Sequence, residues 1–423
     1  MSVVVVGLEH RRAPLELLEA VTVSEAELGK LTAELQGYGN LTELVVLSTC
    51  LRTEVYAVAD RFHDAVAEIT EVLAHKAGRR PEELAEALTI RFDYDVAGHL
   101  FAVASGLQSS VPGETEVLGQ VRRAHEHALA EHTCGPVLAE LFQAALHAGK
   151  RVRTETSIAR GTTSFAHAAV ELAATELGSF EGLRVAVVGA GDLGAGVLEA
   201  LATGPATAAA ELTLVNRSAQ RAGEVVAALP EGQAARVGVR TFDHLAAVAA
   251  TADLVITAVE ADEPILRAEH LRDRQQALWM LDLGVPRNID LAVRDLDGVT
   301  VLDVVDLAKI VDGTLADRRE ELVAASTIVN EEVHRYRDLA RARGAAPVIS
   351  ALRAKVDAAR ATELARRRSE FADLDEQEWA KVEALTRSIL SKVLHEPTVV
   401  VKEAAGTPRG ERLVEALRSL FDL

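Results

Sequence analysis

The segment around Cys50 places a thiol among hydroxyl and charged side chains, at a break between two strand-like runs. Cys50 follows Ser48 and Thr49, and Arg52 comes two residues later. A nearby guanidinium lowers the pKa of a thiol, and the thiolate is the nucleophilic form. Most lone cysteines are instead small, buried apolar residues. These local features leave a nucleophilic and a structural role for Cys50 both open.

A glycine-rich segment near the middle of the chain has the spacing of a phosphate-binding loop. The apolar run 184–188 leads into the pattern GxGxxG, and a helical stretch follows. The glycines permit a tight turn and a close approach of backbone to pyrophosphate, and the helix N-terminus offers N–H groups to the phosphates. We predict a dinucleotide site; the alternative is a glycine turn that binds nothing. The predicted residues are Gly189, Ala190, Gly191, Asp192, Leu193 and Gly194.

The end of the next predicted strand indicates which dinucleotide is bound. NAD-specific sites carry Asp or Glu there to accept a hydrogen bond from the ribose 2′-hydroxyl. This chain has Asn216, Arg217 and Ser218 instead. Arg217 and Ser218 suit a 2′-phosphate through charge-assisted hydrogen bonds, which favours NADP. The alternative is that Arg217 is a solvated residue in the first turn of the following helix.

A nucleophilic cysteine beside a nicotinamide cofactor has a specific chemical meaning. A thiolate attacks an activated acyl group to form a thioester, and a hydride then reduces the thioester to an aldehyde. A carboxylate is a poor electrophile, so the covalent step makes the reduction possible. The chain presents no Ser-His-Asp arrangement or glycosidase-like carboxylate pair as a better candidate.

The elements that must position these groups fall into three stretches. Residues 1–160 mix strands and helices, which predicts an α+β domain carrying Cys50. In residues 161–310, strands alternate with helices, which predicts a parallel, doubly wound Rossmann-type sheet. Residues 311–423 have almost no strand signal and predict an all-helical domain whose long first helix needs a partner, as in a spine or a dimer.

Several helix boundaries follow from composition and from helix-breaking residues. In the first stretch, residues 62–76, 81–88 and 114–153 read as helices, and His99 falls near a helix start. In the last stretch, Gly344, Pro347 and Pro397 predict breaks. The helices predicted there cover 314–342, 347–371, 375–395 and 409–421.

Composition limits the class of protein. The 423 residues carry a formal net charge of −19 and only two cysteines. This acidity argues against a surface built broadly to hold nucleic acid, although local patches of arginine and lysine remain compatible with an RNA-borne substrate. Two cysteines provide neither a disulfide framework nor metal-ligand spacing, so we predict no metal. The absence of a signal peptide or of a long apolar run predicts a cytoplasmic protein.

Ordered short motifs along nearly the whole chain resemble the glutamyl-tRNA reductase family. They include Gly7-Leu8-Glu9-His10, Ser48-Thr49-Cys50, His99-Leu100-Phe101, Lys150-Arg151-Val152-Arg153, Val285-Pro286-Arg287 and His395-Glu396-Pro397-Thr398. The resemblance implies a V-shaped homodimer with a catalytic domain, an NADPH domain and a helical dimerisation domain on a long spinal helix. It also implies NADPH-dependent reduction of glutamyl-tRNA to glutamate-1-semialdehyde, the first step of the five-carbon route to tetrapyrroles. A downstream aminomutase is a possible partner.

The same resemblance implies roles for individual residues. Cys50 matches the family nucleophile, and His99 matches a position important for activity near the tetrahedral intermediate. Arg52 matches the residue that pairs with the substrate side-chain carboxylate, a task that suits a planar guanidinium. The full set of substrate-binding positions is Thr49, Leu51, Arg52, Ser109, Glu114, Thr115, Glu116 and Gln120.

Departures from the family pattern concentrate in the substrate segments. The unusual residues are Glu9, Leu51, Gln108, Ser110, Pro112, Thr115 and Glu116. Retention of Arg52 favours the glutamyl substrate. A paralogue that reduces a different aminoacyl-tRNA, a non-catalytic relative that binds tRNA, and a reductase of a free small molecule are the alternatives.

Overall fold

The fold is described from a computed structural model. The described residues are 2–109, 114, 116–158, 165–204, 209, 211–272, 274–313, 319–404 and 408–423, without the side chains of 311–313, 319, 341–346, 408 and 411. They form two compact units, Met1–Asn330 and Glu331–Leu423. The first unit contains both of the sheets, so this division does not test the domain boundaries predicted near residues 160 and 310. Those boundaries stay predictions.

An antiparallel sheet of four strands opens the first unit. Its strands are β1 (Ser2–Glu9), β2 (Leu41–Thr49), β3 (Arg52–Ala59) and β4 (Leu88–Phe92), in the order β2-β3-β1-β4. The first three strands confirm the strands that the Val-rich runs 3–8, 43–49 and 53–60 predict. The helix expected at 81–88 is wrong beyond Leu84, because the alternating segment that follows pairs with β1 as an edge strand.

Helices cover both faces of this sheet. They are α1 (Leu15–Val21), α2 (Glu25–Gln36), α3 (Phe62–Ala77), α4 (Pro81–Leu84), α5 (Tyr94–Ala104), α6 (Glu116–Ala130) and α7 (Pro136–Glu155). Because strand side chains alternate, Val55 and Ala57 point into the apolar core with α1–α4. Arg52, Glu54 and Tyr56 point to the other face, where Tyr56 packs edge-on against Phe142 of α7 at 5.2 Å.

Two predictions about the helices of this domain need correction. The stretch 114–153 is two helices, since α6 ends at Ala130 and α7 begins at Pro136 after its N-cap Gly135. Proline at the first helical position favours a helix start there. His99 lies in the middle of α5 rather than at a helix start. The apolar residues around His99, including Leu100 and Phe101, are fully buried. Burial of this apolar face is consistent with a helix that extends on both sides of His99, from Tyr94 to Ala104.

The Rossmann-type prediction is confirmed by a parallel sheet of six strands. The strands are β5 (Arg184–Val188), β6 (Glu211–Asn216), β7 (Val237–Thr241), β8 (Leu254–Thr257), β9 (Leu278–Asp282) and β10 (Val299–Asp303). Their order is β7-β6-β5-β8-β9-β10, and every pairing is parallel. The order reverses between β5 and β8, which is where a doubly wound sheet binds its ligand.

Helices flank this parallel sheet. They are α8 (Phe165–Leu177), α9 (Asp192–Thr203), α10 (Ala219–Ala227), α11 (Leu245–Thr251) and α12 (Val304–Gly313). Helix α9 begins directly after the glycine loop, as the sequence predicts, and Ser218 caps α10 by accepting a hydrogen bond from the Arg221 N–H. The sheet and these helices thus bring the glycine loop and the Asn216–Ser218 segment to one edge.

Asp282, the last residue of β9, holds the loop that follows the strand. Its buried carboxylate accepts hydrogen bonds from the backbone N–H groups of Gly284, Asn288 and Ile289 at 2.8–3.0 Å and from the Thr257 hydroxyl at 2.9 Å. Burial raises the pKa of Asp282 to about 6, and the four donors offset part of this desolvation. The loop 283–289 is therefore fixed to the end of the sheet.

The last part of the chain is helical, as predicted, but its helices are longer than the breaks suggested. They are α13 (Arg319–Arg367), α14 (Glu376–Ala404) and α15 (Pro408–Phe421). Pro347 lies within α13 and Pro397 within α14. Each proline costs a helix about 3 kcal/mol, and buried residues just beyond it, such as Leu352 and Val401, offset that cost by packing. Within the described ranges, we find no helix with both the length and the apolar character needed to span a membrane.

Replacing Asp282 tests its role in the fold. We expect Asp282→Ala to lower the free energy of unfolding by about 3 kcal/mol or more, because it leaves three buried N–H groups without their acceptor. Asp290→Ala is the matched control, since Asp290 caps only one N–H, that of Ala292, and should cost about 1 kcal/mol. Urea denaturation measures both, and equal losses would contradict the prediction.

Candidate active site

A small cavity lies where the β2–β3 hairpin of the antiparallel sheet meets the nucleotide-binding half of the first unit. Most residues predicted for substrate binding line it. They are Thr49, Leu51, Arg52, Ser109, Glu114, Glu116 and Gln120, and the predicted nucleophile Cys50 lines the cavity with them. Phe165 of α8 and Leu193 of the glycine loop complete the lining. The structure thus brings one residue of the predicted phosphate-binding segment, Leu193, to the cavity that holds the thiol, whereas the glycines of that segment are not part of its lining.

The tight hairpin fixes the position of Cys50. Thr49 and Arg52 are directly paired across the strands, so Cys50 and Leu51 alone form the turn. The Leu51 carbonyl accepts a hydrogen bond from the His10 N–H at 3.0 Å, which ties the turn to the end of β1. Gly7 lets β1 approach β3, because a Cβ there would lie 2.3 Å from the Thr53 carbonyl oxygen.

A buried carboxylate, Glu54, joins the charged groups behind the cavity. Its Oε1 accepts hydrogen bonds from Arg52 Nη1 at 2.9 Å and lies 2.8 Å from His99 Nε2, and its Oε2 accepts from the Tyr56 hydroxyl at 2.6 Å. Burial alone raises the pKa of Glu54, but attraction to His99 and Arg52 outweighs it and lowers the pKa to about 2. Glu54 therefore stays ionised and holds both side chains.

This network changes the roles expected for two residues. His99 does not line the cavity and lies behind it, 4% exposed and against Glu54. Arg52 does line the cavity, but it is 3% exposed and its Nη2 donates to the Gln108 carbonyl at 2.6 Å. A guanidinium has five N–H donors, and the contacts with Glu54 and Gln108 use two of them.

In this arrangement Arg52 does not lower the pKa of the Cys50 thiol below its ordinary value. Burial and then the nearby carboxylates of Glu114 and Glu116 raise the pKa of Cys50 to about 12, and the attraction of Arg52 is too small to reverse this. Desolvation and negative neighbours both disfavour the thiolate. Cys50 is therefore held here as a neutral thiol.

Glu114 is the group of the cavity that titrates near neutral pH. Burial raises its pKa to about 7, and Glu116 adds to the rise, whereas a hydrogen bond with Ser109 opposes it. Arg153 donates to the Glu114 carbonyl at 2.8 Å and to the Ala104 carbonyl at 3.2 Å. Thr115, also predicted to bind substrate, lies outside the described residues.

The glycine loop has the geometry that a pyrophosphate requires. Gly189 has a φ of +117°, and a Cβ there would lie 2.2 Å from the Ala258 carbonyl oxygen. A Cβ on Gly194 would lie 2.2 Å from the Gly189 carbonyl oxygen, so this glycine allows α9 to pack close to the strand. Gly191, at the N-cap of α9, faces open space. The residues present therefore fit a dinucleotide phosphate at the helix N-terminus.

The second strand of the nucleotide domain ends without a carboxylate, as the sequence predicts. Arg217 is exposed and lies 6.0 Å from the centre of the Phe242 ring. The Asn216 side chain donates to the Ser218 carbonyl at 3.0 Å, and the Ser218 hydroxyl caps α10. The three predicted residues thus form one exposed corner beside the end of β6.

Sequence reasoning did not place Glu54 or His10 in the site, whereas the polar cluster Gln108–Ser110 in an apolar region did indicate a pocket there. A signal for Glu54 existed, since Arg52 and Glu54 are two residues apart in a strand and so share a face. His10 and Gln108 line the cavity but come from loops. Their positions depend on contacts between distant segments, such as the Arg52–Gln108 hydrogen bond, and no local pattern indicates His10.

Three family models match successive parts of the chain. Residues 6–156 match the model described as "Glutamyl-tRNAGlu reductase, N-terminal domain", and residues 324–423 match "Glutamyl-tRNAGlu reductase, dimerisation domain". Residues 171–310 match the model "Shikimate / quinate 5-dehydrogenase". The two sheets and the helical tail therefore correspond to three separate matches.

Similar proteins match over the full length. A glutamyl-tRNA reductase of Crocosphaera subtropica is 36% identical, covering 100% of this chain and 98% of its own. One of Frankia alni is 37% identical, covering 100% and 96%. A solved structure, glutamyl-tRNA reductase from Methanopyrus kandleri, is 26% identical with a TM-score of 0.53, covering 100% of this chain and 99% of its own.

The state of the Cys50 thiol is open to direct measurement. We expect the ¹³Cβ resonance of Cys50, in Cys134→Ala protein labelled on cysteine, to keep the chemical shift of a neutral thiol up to about pH 9, because its carboxylate neighbours and burial disfavour the thiolate. The same protein unfolded in urea is the control and should titrate near about 8.5. A folded-state midpoint at or below that of the unfolded chain would contradict the prediction.

Proposed function

Because this chain belongs to the glutamyl-tRNA reductase family, we propose that it reduces the aminoacyl ester of glutamyl-tRNA to glutamate-1-semialdehyde with NADPH, through a thioester on Cys50. This reaction is the first step of the five-carbon route to tetrapyrroles. One observation carries the assignment of the site. The Cys50 thiol and Leu193, which lies in the first turn of α9 directly after the glycine loop, line the same cavity. Reduction of a thioester requires a thiol with a nucleotide site beside it.

The first half of the reaction is an acyl transfer. The sulfur of Cys50 forms a bond to the carbonyl carbon, the ester C–O bond breaks, and the terminal ribose hydroxyl of tRNA leaves with a proton. The thiol must lose its own proton to attack. Glu114, whose pKa is about 7, lines the cavity with Cys50 and is the group best suited to exchange that proton near neutral pH.

The second half is a reduction by two electrons. A nicotinamide cofactor held by the loop from Gly189 to Gly194 would supply the hydride that reduces the carbonyl carbon of the thioester. The C–S bond then breaks, the aldehyde leaves, and the Cys50 sulfur recovers a proton. The cavity walls formed by Leu51, Phe165 and Leu193 limit the access of water, which would otherwise hydrolyse the thioester.

The charged groups of the cavity suit a glutamyl group. Arg52 keeps N–H donors beyond those bound to Glu54 and Gln108, and we assign them to the side-chain carboxylate of the substrate. Glu114 and Glu116 offer negative charge to its free α-ammonium. We place Thr49, Ser109, Thr115 and Gln120 as further substrate contacts. His99 serves as a positioning residue that keeps Glu54, and thereby Arg52, in place.

The nucleotide-binding domain is of the nicotinamide dehydrogenase type, and the family is one of oxidoreductases. We infer that the cofactor is NADPH. Three residues support this inference, because Asn216 provides no carboxylate for a ribose 2′-hydroxyl and Arg217 and Ser218 offer an exposed cation and a hydroxyl to a 2′-phosphate. The loop from Gly189 to Gly194 would hold the pyrophosphate.

Clusters of basic residues at 150–153, 341–343 and 366–368 are the patches of this chain that could contact tRNA. Several of their arginines already have partners within the chain. Arg151 is bound to Glu155, and Arg153 donates to backbone carbonyls. Arg366 and Arg367 pair with Glu363, while the side chains of Arg341 and Arg343 lie outside the described set. We propose that tRNA contact is local and weakened by salt.

The helical domain supports a homodimer. It matches a dimerisation domain, and Leu385, Ile389 and Val393 of α14 form a stripe at four-residue spacing, each more than half exposed. An exposed apolar stripe along one face of a helix is suited to packing against a second copy of the chain. We further propose that the aldehyde product passes to an aminomutase and that the protein acts in the cytoplasm.

A panel of charged tRNAs tests the function. We expect NADPH oxidation with glutamyl-tRNA and none with free glutamate or uncharged tRNA, because only the ester is activated for attack by Cys50. Cys50→Ser should abolish both the acyl-enzyme and the aldehyde, whereas Cys134→Ser, the matched control, should leave both. Equal turnover with free glutamate, or full activity of Cys50→Ser, would contradict the proposal.

Replacing Arg217 tests the cofactor. We expect Arg217→Ala to weaken NADPH binding by about tenfold or more and NADH binding little, because only NADPH carries the 2′-phosphate. Fluorescence titration of each nucleotide measures the two dissociation constants. Arg221→Ala, one turn along α10, is the matched control. The assignment of Arg217 fails if the two nucleotides are weakened equally.

A further inference from the structure

One ion pair joins segments that are 268 residues apart in the chain, Glu19 of α1 and Arg287 of the loop after β9. The guanidinium Nε donates to Oε1 at 2.8 Å and to Oε2 at 3.0 Å, Nη2 donates to Oε2 at 2.6 Å, and the Arg287 backbone N–H donates to Oε1 at 2.8 Å. Both side chains are 14% exposed. A multidentate, sheltered pair of this kind is much stronger than an exposed one.

On the nucleotide side, Arg287 stands on a rigid support. The next residue, Asn288, is fully buried, and its backbone N–H donates to Asp282 at 2.8 Å. Its side chain also exchanges hydrogen bonds of 2.9 Å with both backbone groups of Val259, in the loop after β8. Arg287 therefore moves with the carboxyl end of the parallel sheet, where the dinucleotide would lie.

On the catalytic side, Glu19 is coupled to the Cys50 hairpin. The backbone N–H of Val23, just after α1, donates to the Ser48 hydroxyl at 3.0 Å, two residues before the thiol. Leu15 of the same helix and Leu51 of the hairpin are buried in one apolar cluster with Phe165 of α8. The helix with Glu19 and the turn with Cys50 therefore face the nucleotide domain as one surface.

Hydride transfer requires such a contact between domains. The donor and acceptor carbons must approach to about 3–3.5 Å, although the thioester is on the hairpin and the cofactor is held by the glycine loop. Acyl transfer makes no such demand, because it needs only the thiol and the charged tRNA. A contact that holds the two domains together should therefore increase the rate of reduction and not the rate of acyl transfer.

We propose that Glu19 and Arg287 form a latch that holds the nucleotide-binding domain against the Cys50 hairpin during hydride transfer. Arg287 is a positioning residue, since it acts through the placement of the domain. The role in reduction rests on the proposed function, whereas the closure itself does not. Opening of the latch uncovers Cys50 to the incoming ester, and closing brings the glycine loop back to it.

The first experiment measures closure without any substrate. In Cys134→Ala protein, Cys50 is the one remaining thiol, and iodoacetamide alkylates it at a rate set by its exposure and ionisation. We expect Glu19→Gln and Arg287→Met each to raise this rate about tenfold, because they shift the population towards the open form. Glu16→Gln is the matched control, because Glu16 is 63% exposed and its contact with Arg287, at 3.5 Å, is longer than that of Glu19. This substitution should change the alkylation rate less than about twofold.

The second experiment separates the two half-reactions in the otherwise unaltered enzyme. Release of tRNA from glutamyl-tRNA in the absence of NADPH should stay at or rise above the wild-type rate in Glu19→Gln and Arg287→Met, because both variants leave Cys50 more accessible to the ester. Reduction of the preformed acyl-enzyme, followed by NADPH absorbance, should fall about tenfold. The exchanged pair Glu19→Arg with Arg287→Glu should recover part of the loss, which a merely misfolded variant cannot do.

The outcomes distinguish the latch from the proposed function. Unchanged alkylation rates, or an equal fall of both half-reactions without recovery by the exchanged pair, would overturn the latch. A wild-type enzyme that oxidises no NADPH with any charged tRNA would instead overturn the proposed function. In that case the alkylation rates alone still decide whether the pair closes the two domains.

Discussion

The buried carboxylate of Glu54 is the interaction on which the catalytic half of the molecule depends. It neutralises Arg52 and lies against His99 in a region that excludes water. Removing one partner of such a buried pair typically costs about 3–5 kcal/mol, because the other charge is left uncompensated. The same contacts hold Arg52 at the wall of the cavity. One carboxylate thus serves the stability of the sheet–helix interface and the geometry of the site.

Burial and neighbouring charges set the protonation states of the two reactive groups of the cavity, Cys50 and Glu114. Negative neighbours and burial keep the Cys50 thiol neutral, which protects it from adventitious oxidation and alkylation. Glu114, with a pKa of about 7, is balanced between its two protonation states. If the proposed latch opens, water would reach the thiol and relieve part of its pKa shift. The proposed open form would then also be the one in which the nucleophile ionises more easily.

The fold was predictable wherever one local pattern fixed the outcome. The Val-rich runs predicted three of the four antiparallel strands, and the strand–GxGxxG–helix order predicted the Rossmann-type sheet and the loop from Gly189. Local rules failed where packing outweighed them. Pro347 and Pro397 predicted helix breaks, but buried residues beyond each proline keep α13 and α14 continuous. Likewise, the segment Leu88–Phe92 forms a strand because it pairs with the free edge of β1.

By itself, the sequence determined the reactive groups, since the thiol of Cys50 and the glycines of the loop are properties of residue type and spacing. It also indicated the family, through motifs that extend along the chain. Tertiary structure alone decided the environment of those groups. The pKa of Cys50 depends on Glu114 and Glu116, the placement of Arg52 depends on Glu54 and Gln108, and the latch joins residues 268 positions apart. Electrostatic energies depend on distance and burial in space, and separation along the chain does not reveal either quantity.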